Sequence, residues 1–295
     1  MKVGVVIPIS LNADTGQYAS FEEMKVYAQT AEAAGLDSIW LFDHLIFRHP
    51  DRPESGQWEC FTTWSALAAM TSRVELGTLV LCTAFRNPAV TAKMAVTLDA
   101  ISGGRIILGL GAGWHEPEFD AFDLRFDHRA GQFEEAMKII APLVREGYVD
   151  FHGQYTSAPD CAMLPKPERE IPILIASRGP RMLDLTAEFA DQWNAAWFGK
   201  IDGFITRRDE LHAAIDAAGK SRDAIETTAG MVVNFPDLKD PGPDLDRDRT
   251  FSGSVDELVE LLKEFEQAGC GHAIIQLNPC TDEAIERVAK ARSRL

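Results

Sequence analysis

Residues 74–114 read V-E-L-G-T-L-V-L-C-T-A-F-R-N-P-A-V-T-A-K-M-A-V-T-L-D-A-I-S-G-G-R-I-I-L-G-L-G-A-G-W. The stretch spells one strand–helix–strand unit. It has a β-rich apolar run, a helix start at Asn87-Pro88, a helix stop at Gly103-Gly104 and a second apolar run that breaks up into glycines. Both strand ends, around Cys82 and over residues 111–114, carry polar, small and aromatic residues where a bare turn would suffice. They are read as the floor of a cofactor site.

The rest of the chain repeats the unit. Residues 2–8 form a Val/Ile run suited to a strand covered on both faces. Ser20 with Glu23 spells a capping box for a helix stopped by Gly35, and residues 38–42 give the next strand, ending in Asp43-His44. A loop rich in Pro, Arg and Gly runs from there to Gln57. Beyond Trp114, Phe133, Met137, Ile140 and Val144 recur at helical spacing. Residues 147–172 then read as a small hairpin insertion that turns at His152-Gly153. Strands are expected at 173–176, 192–195, 227–233 and 272–277, and helices fill the intervals. A Pro/Asp-rich loop follows the seventh strand. Eight strand–helix units predict an α/β chain folded as a single (β/α)8 TIM barrel over residues 1–295, with the small hairpin insertion after the fourth helix. Strand C-termini make the active mouth of such a barrel, which gathers His44, Cys82, residues 111–114, Ser177, Asn194, Asn234 and Asn278.

The chain has 295 residues, 46% of them hydrophobic, and a formal net charge of -16. That charge disfavours nucleic-acid binding, which needs a basic surface. Five scattered cysteines without a CxxC pair suggest neither a disulfide framework nor a zinc site, and fit a reducing, cytoplasmic setting. No apolar run approaches the ~20 residues that span a bilayer. The histidines show no metal-ligand spacing, so no metal is expected.

Three motifs carry chemistry. Asp43-His44 at a strand end can supply a general acid or base together with a group that holds its tautomer, although a capping Asp beside a solvated His would look the same. G-L-G-A-G-W (residues 109–114) lacks the context of a dinucleotide fingerprint. Its Gly111, Ala112 and Gly113 could let a flat ring approach the backbone with Trp114 as a wall, or could simply be turn residues. Ser177-Arg178-Gly179-Pro180-Arg181 opens a helix, where free N–H groups and two arginines suit an anion.

These residues resemble the luciferase-like monooxygenase superfamily. The resemblance is carried by A-E-A-A-G-L-D-S-I-W-L-F-D-H, V-E-L-G-T-L-V-L with R-N-P-A-V, S-G-G-R-I-I-L-G-L-G-A-G-W, D-F-H-G-Q-Y with L-P-K-P, and P-I-L-I-A-S-R-G-P-R followed by A-D-Q-W-N. It implies a barrel that binds the deazaflavin coenzyme F420 or, alternatively, FMN. In the deazaflavin branch it implies that Asp43 and His44 are catalytic and that Asp43 also touches the ring. A non-proline cis peptide near Leu79-Val80 would press on the back of the ring beside Cys82, and Ser177, Arg178, Gly179 and Arg181 would hold the phosphate. The sugar-phosphate dehydrogenases of that branch carry a Glu where this chain has Trp114, which implies a different substrate. The expected activity is hydride transfer between F420 and a small organic substrate. The alternatives are a two-component FMN monooxygenase served by a separate cofactor reductase, and a non-catalytic flavin- or phosphate-binding barrel. Expected partners are the substrate and a second copy of the chain in a homodimer, with neither nucleic acid nor membrane.

Overall fold

Eight parallel strands close on themselves in the computed structural model, which describes all residues except 13, 14, 51 and 244 and the side chain of residue 52. They are β1 (Lys2–Val6), β2 (Ser38–Leu41), β3 (Glu75–Thr78), β4 (Ile106–Gly111), β5 (Ile173–Ala176), β6 (Gln192–Ala196), β7 (Glu226–Asn234) and β8 (His272–Leu277). Each pairs with the next, and β8 pairs with β1 through Lys2↔His272 to Val5↔Ile275, so the barrel has no open edge. The barrel helices are α1 (Phe21–Ala33), α2 (Cys60–Met70), α3 (Pro88–Ser102), α4 (Arg129–Arg145), α5 (Pro180–Phe189), α6 (Ile201–Ala217), α7 (Val255–Gln267) and α8 (Asp282–Arg292).

The local signals act as the sequence implies. Ser20 and Ser254 accept from the N–H groups of Glu23 and Glu257, whose side chains return the bond. The Asn87 side chain accepts from the N–H groups of Ala89 and Val90 ahead of Pro88, and Gly103 ends α3 in the left-handed region at φ 70°. Apolar residues divide into two cores. A small one fills the barrel with Val6, Trp40, Leu79, Ile107, Leu174 and Ile274, and a large one lies between strands and helices.

Residues 147–172 carry the expected hairpin, Tyr148–His152 against Ser157–Ala162. Its tip is clamped to α4 because the Glu135 carboxylate accepts from the N–H groups of Gln154, Tyr155 and Thr156 at 2.7, 2.7 and 3.0 Å. Several details differ from the sequence reading, including a short antiparallel pair, Leu11–Asn12 with Gln17–Tyr18, and a short strand, Thr250–Ser252, beside β7. The loop after Asp43-His44 holds a further antiparallel pair, Ile46–His49 with Arg52–Gly56, and a short helix, Glu116–Ala121, stands between β4 and α4. Among the described residues no helix is long and apolar enough to cross a membrane, and no cluster could hold a metal ion.

Candidate active site

A cavity of about 940 Å³ opens at the C-terminal ends of the strands. Phe42, Asp43 and His44 enter it from β2, Leu79, Val80 and Cys82 from β3, and residues 111–114 from β4. Ser177 and Arg178 enter from the turn after β5, and Asn194 and Trp197 from β6. The other expected mouth residues, Asn234 and Asn278, bond to each other instead. Asn234 Nδ2 donates to the Asn278 carbonyl at 2.9 Å, and neither residue reaches the cavity.

Asp43 and His44 have separate surroundings, because consecutive residues past a strand end point to opposite sides. The Asp43 carboxylate is buried and accepts twice from Arg86, at 2.7 and 2.9 Å, and once from the Cys82 N–H at 3.0 Å. Burial would depress the Arg86 guanidinium, but Asp43 and then Glu59 more than offset that and hold it above its ordinary value. Asp43 thus fastens the end of β2 to the end of β3. His44 turns the other way. Its Nδ1 lies 2.9 Å from Glu118 Oε1, and Glu118, only 1% exposed, also accepts from the Leu45 N–H at 2.9 Å. His44 Nε2 has no partner among the described residues. The ring is flanked by Phe47 and Trp114, with centroids at 4.5 and 5.5 Å. Trp114 is 60% exposed and stands as a wall at the mouth. His115 behind it accepts the Arg48 N–H at 3.1 Å, and burial lowers its pKa.

The third strand breaks where the cavity begins. β3 ends at Thr78, the Leu79–Val80 peptide is cis, and Leu81–Cys82 resumes pairing with β4 through Leu81↔Leu110. A second non-proline cis peptide, Ala196–Trp197, which no sequence feature foretold, stands across the mouth at the end of β6. The glycines at the end of β4 and just beyond it also have a packing reason. A Cβ on Gly109 would lie 1.8 Å from the Thr78 carbonyl oxygen, one on Gly111 2.6 Å from Val80, and one on Gly113 2.6 Å from the Phe119 ring and 2.7 Å from the Cys82 sulfur. They admit the neighbouring strand end, and Gly111, Ala112 and Gly113 line the cavity as a consequence. Burial pushes the Cys82 thiol up to about 12, so it is a neutral wall and not a nucleophile.

The basic side of the cavity corrects one expectation. Arg181 turns away, pairing with Glu134 of α4 at 3.0 Å, and does not line the cavity. Arg178 does, and Arg249 joins it from the end of the loop after β7. Ser177 is buried and its hydroxyl is shared with Thr186 at 2.7 Å, while Gly179 caps α5 at φ 79°, where no other residue type sits comfortably. Asn194 gives Nδ2 to Thr228 Oγ1 at 2.8 Å, and Thr228 in turn donates to the Trp193 carbonyl. That chain fixes the amide orientation and leaves Asn194 Oδ1 as a buried acceptor without a donor.

Several residues of the site escaped the sequence reading, among them Phe47 and Trp197 of the cavity wall and four charged groups. Arg86 and Glu59 sit on helix starts, where their charges read as solvated. Glu118 stands in W-H-E-P-E-F beside a second glutamate, with only Pro117 at the helix start to hint that one of them turns inward. Arg249 is one of two alternating arginines in D-R-D-R, and nothing local separates it from Arg247.

The chain is 31% identical over 296 residues to an F420-dependent glucose-6-phosphate dehydrogenase of Kineococcus radiotolerans, covering 97% of this chain and 83% of the relative. It is 30% identical over 243 residues to a pyrimidine monooxygenase of Agrobacterium fabrum, covering 77% and 66%. The solved structure of an F420-dependent secondary alcohol dehydrogenase with an F420-acetone adduct superposes with a TM-score of 0.80 at 19% identity, covering 98% of this chain and 97% of that one, and so shares the fold. Residues 1–237 match the luciferase-like monooxygenase family, and the chain belongs to it.

Proposed function

We propose that the protein is an oxidoreductase that uses coenzyme F420 to move a hydride to or from a small organic substrate. The observation that carries this reading is His44: a cavity-lining imidazole whose Nδ1 is held by a buried carboxylate and whose Nε2 has no protein partner. The residues fit a flat ring with an anionic tail. The cavity has the size of a cofactor site, the Leu79–Val80 break lies along one wall, Asn194 Oδ1 awaits a donor, and Arg178 lies where the α5 amides lack intrahelical partners. When bound, the deazaflavin supplies the hydride chemistry.

The chain's own groups do the rest. His44 Nε2 takes or gives the proton that accompanies the hydride, and Glu118 holds the ring in position and favours its charged form at that moment. Asp43 acts by locking the Cys82 backbone N–H and the Arg86 guanidinium. Phe47, Trp114 and Trp197 exclude water from the reacting face. A small organic substrate and a second copy of the chain are its proposed partners.

Absorbance titration with F420 and with FMN tests the cofactor. F420 should bind the more tightly, and His44→Ala should lower kcat by about 100-fold or more while cofactor affinity barely changes. Unchanged turnover at saturating substrate would remove His44 from the mechanism. The similarity to a pyrimidine monooxygenase favours a second reading, an enzyme using reduced FMN. Tighter FMN binding with substrate-dependent oxygen uptake would select it.

A further inference from the structure

Arg178 and Arg249 come from different elements, the turn after β5 and the loop after β7, and line the same cavity. Neither guanidinium group has an ion pair or hydrogen bond among the described residues. This is unusual in a chain of net charge -16, where Arg86, Arg181 and Arg207 pair with Asp43, Glu134 and Glu210. Partial burial, and then the charges of Arg207 and Arg249, hold the Arg178 guanidinium below its ordinary value. Glu210 opposes this only in part, and a bound anion would relieve the remaining like-charge repulsion.

The position of Arg249 is also built. Gly199 N–H donates to the Asp248 carbonyl at 2.8 Å, and Thr250 N–H donates to the Asp246 carbonyl at 2.8 Å. Thr250 also pairs with Val232 of β7, and Lys200 bonds the Asp248 carboxylate at 2.7 Å. Both chain neighbours of Arg249 are therefore anchored. Gly199 permits this approach, since a Cβ there would stand 2.5 Å from the Arg247 carbonyl oxygen and 2.6 Å from the Thr250 nitrogen.

We propose that Arg249 joins Arg178 in a two-arginine subsite that binds a phosphate or carboxylate group at the cavity mouth. Two guanidinium groups lining one cavity suit such an anion better than one, because each can offer two parallel N–H donors. The anion belongs either to the cofactor's tail or to an acidic substrate. The inference rests on the F420 reading only for the first of these sources.

Calorimetric titration of the full chain with inorganic phosphate at low ionic strength tests the subsite directly. Arg249→Gln and Arg178→Gln should each weaken phosphate binding by about tenfold, and Arg181→Gln, which lies outside the cavity, should leave it unchanged. Comparing F420 with its deazaflavin core lacking the phosphate identifies the source. A preference for intact F420 that Arg249→Gln abolishes, with core affinity retained, assigns the anion to the cofactor. A preference that survives, together with phosphate inhibition competitive with substrate in the wild type only, assigns it to the substrate. Arg249-dependent phosphate binding in a protein that takes up no deazaflavin would keep the subsite and overturn the cofactor reading instead. Absent phosphate binding in the wild type, or binding equal in Arg249→Gln, would overturn the proposal.

Discussion

Glu118 lies 74 positions from His44 in the chain yet supplies the carboxylate that orients its imidazole. A buried carboxylate is costly unless its oxygens find donors, and Glu118 finds them in His44 and the Leu45 N–H. Glu118→Gln keeps the shape and removes the charge. We expect kcat to fall by about tenfold or more, because the charged imidazole formed on proton transfer is no longer stabilised. Cofactor affinity and KM should stay near wild type. A rise in KM at constant kcat would instead place Glu118 in substrate binding.

At the scale of elements, the floor of the cavity depends on how closely β3 and β4 approach. Regular pairing runs from Leu76↔Ile106 to Gly77↔Ile107 and resumes at Leu81↔Leu110. Between these registers the Thr78 hydroxyl spans the gap, lying 2.9 Å from the Gly109 carbonyl and 3.1 Å from its N–H. A methyl group at position 109 would meet the Thr78 backbone, which cannot swing aside as a flexible side chain would. Gly109→Ala is therefore expected to cost about 1–3 kcal/mol in denaturant unfolding and to weaken cofactor binding with it. Wild-type stability with lost binding would mean that the strands part without cost, contrary to the packing seen here.

For the whole molecule, the opposite end of the barrel sets a pH limit. His272 is fully buried where β8 pairs with β1, its Nε2 2.7 Å from the Ser38 hydroxyl and its ring edge-on to Trp40. Burial first, then the charge of Lys2, lowers its pKa from 6.5 to about 3, against the opposing pull of Asp37. Below pH 6.5 the unfolded chain therefore takes up a proton that the folded chain refuses until about pH 3. Stability from this group is complete above the upper value and declines as the pH falls through that window, by about 1.4 kcal/mol per unit. His272→Gln should lose about 2 kcal/mol less than the wild type between pH 7 and pH 5 in urea unfolding. Equal losses in the two proteins would remove His272 as a source of acid sensitivity.

Local signals determined the order of elements. The capping boxes at Ser20 and Ser254, the Asn87-Pro88 start and the left-handed Gly103 stop act within a turn of chain, so their effect is legible without a partner. Repetition of the strand–helix unit then leaves few topologies besides a closed barrel, and strand ends in such a barrel converge on one mouth. This is why His44, Cys82, Ser177 and Asn194 could be placed at the cavity from the strand order, whereas Leu79 and Val80 were placed there by the family resemblance. The tertiary structure alone decided what those side chains face. It gave the Asp43 carboxylate to Arg86 and Cys82, supplied Glu118 to His44, turned Arg181 out to Glu134 and brought Arg249 in. Each of those contacts joins residues far apart in the chain, and the side-chain directions that make them follow from the register and closure of the barrel, which no local pattern encodes.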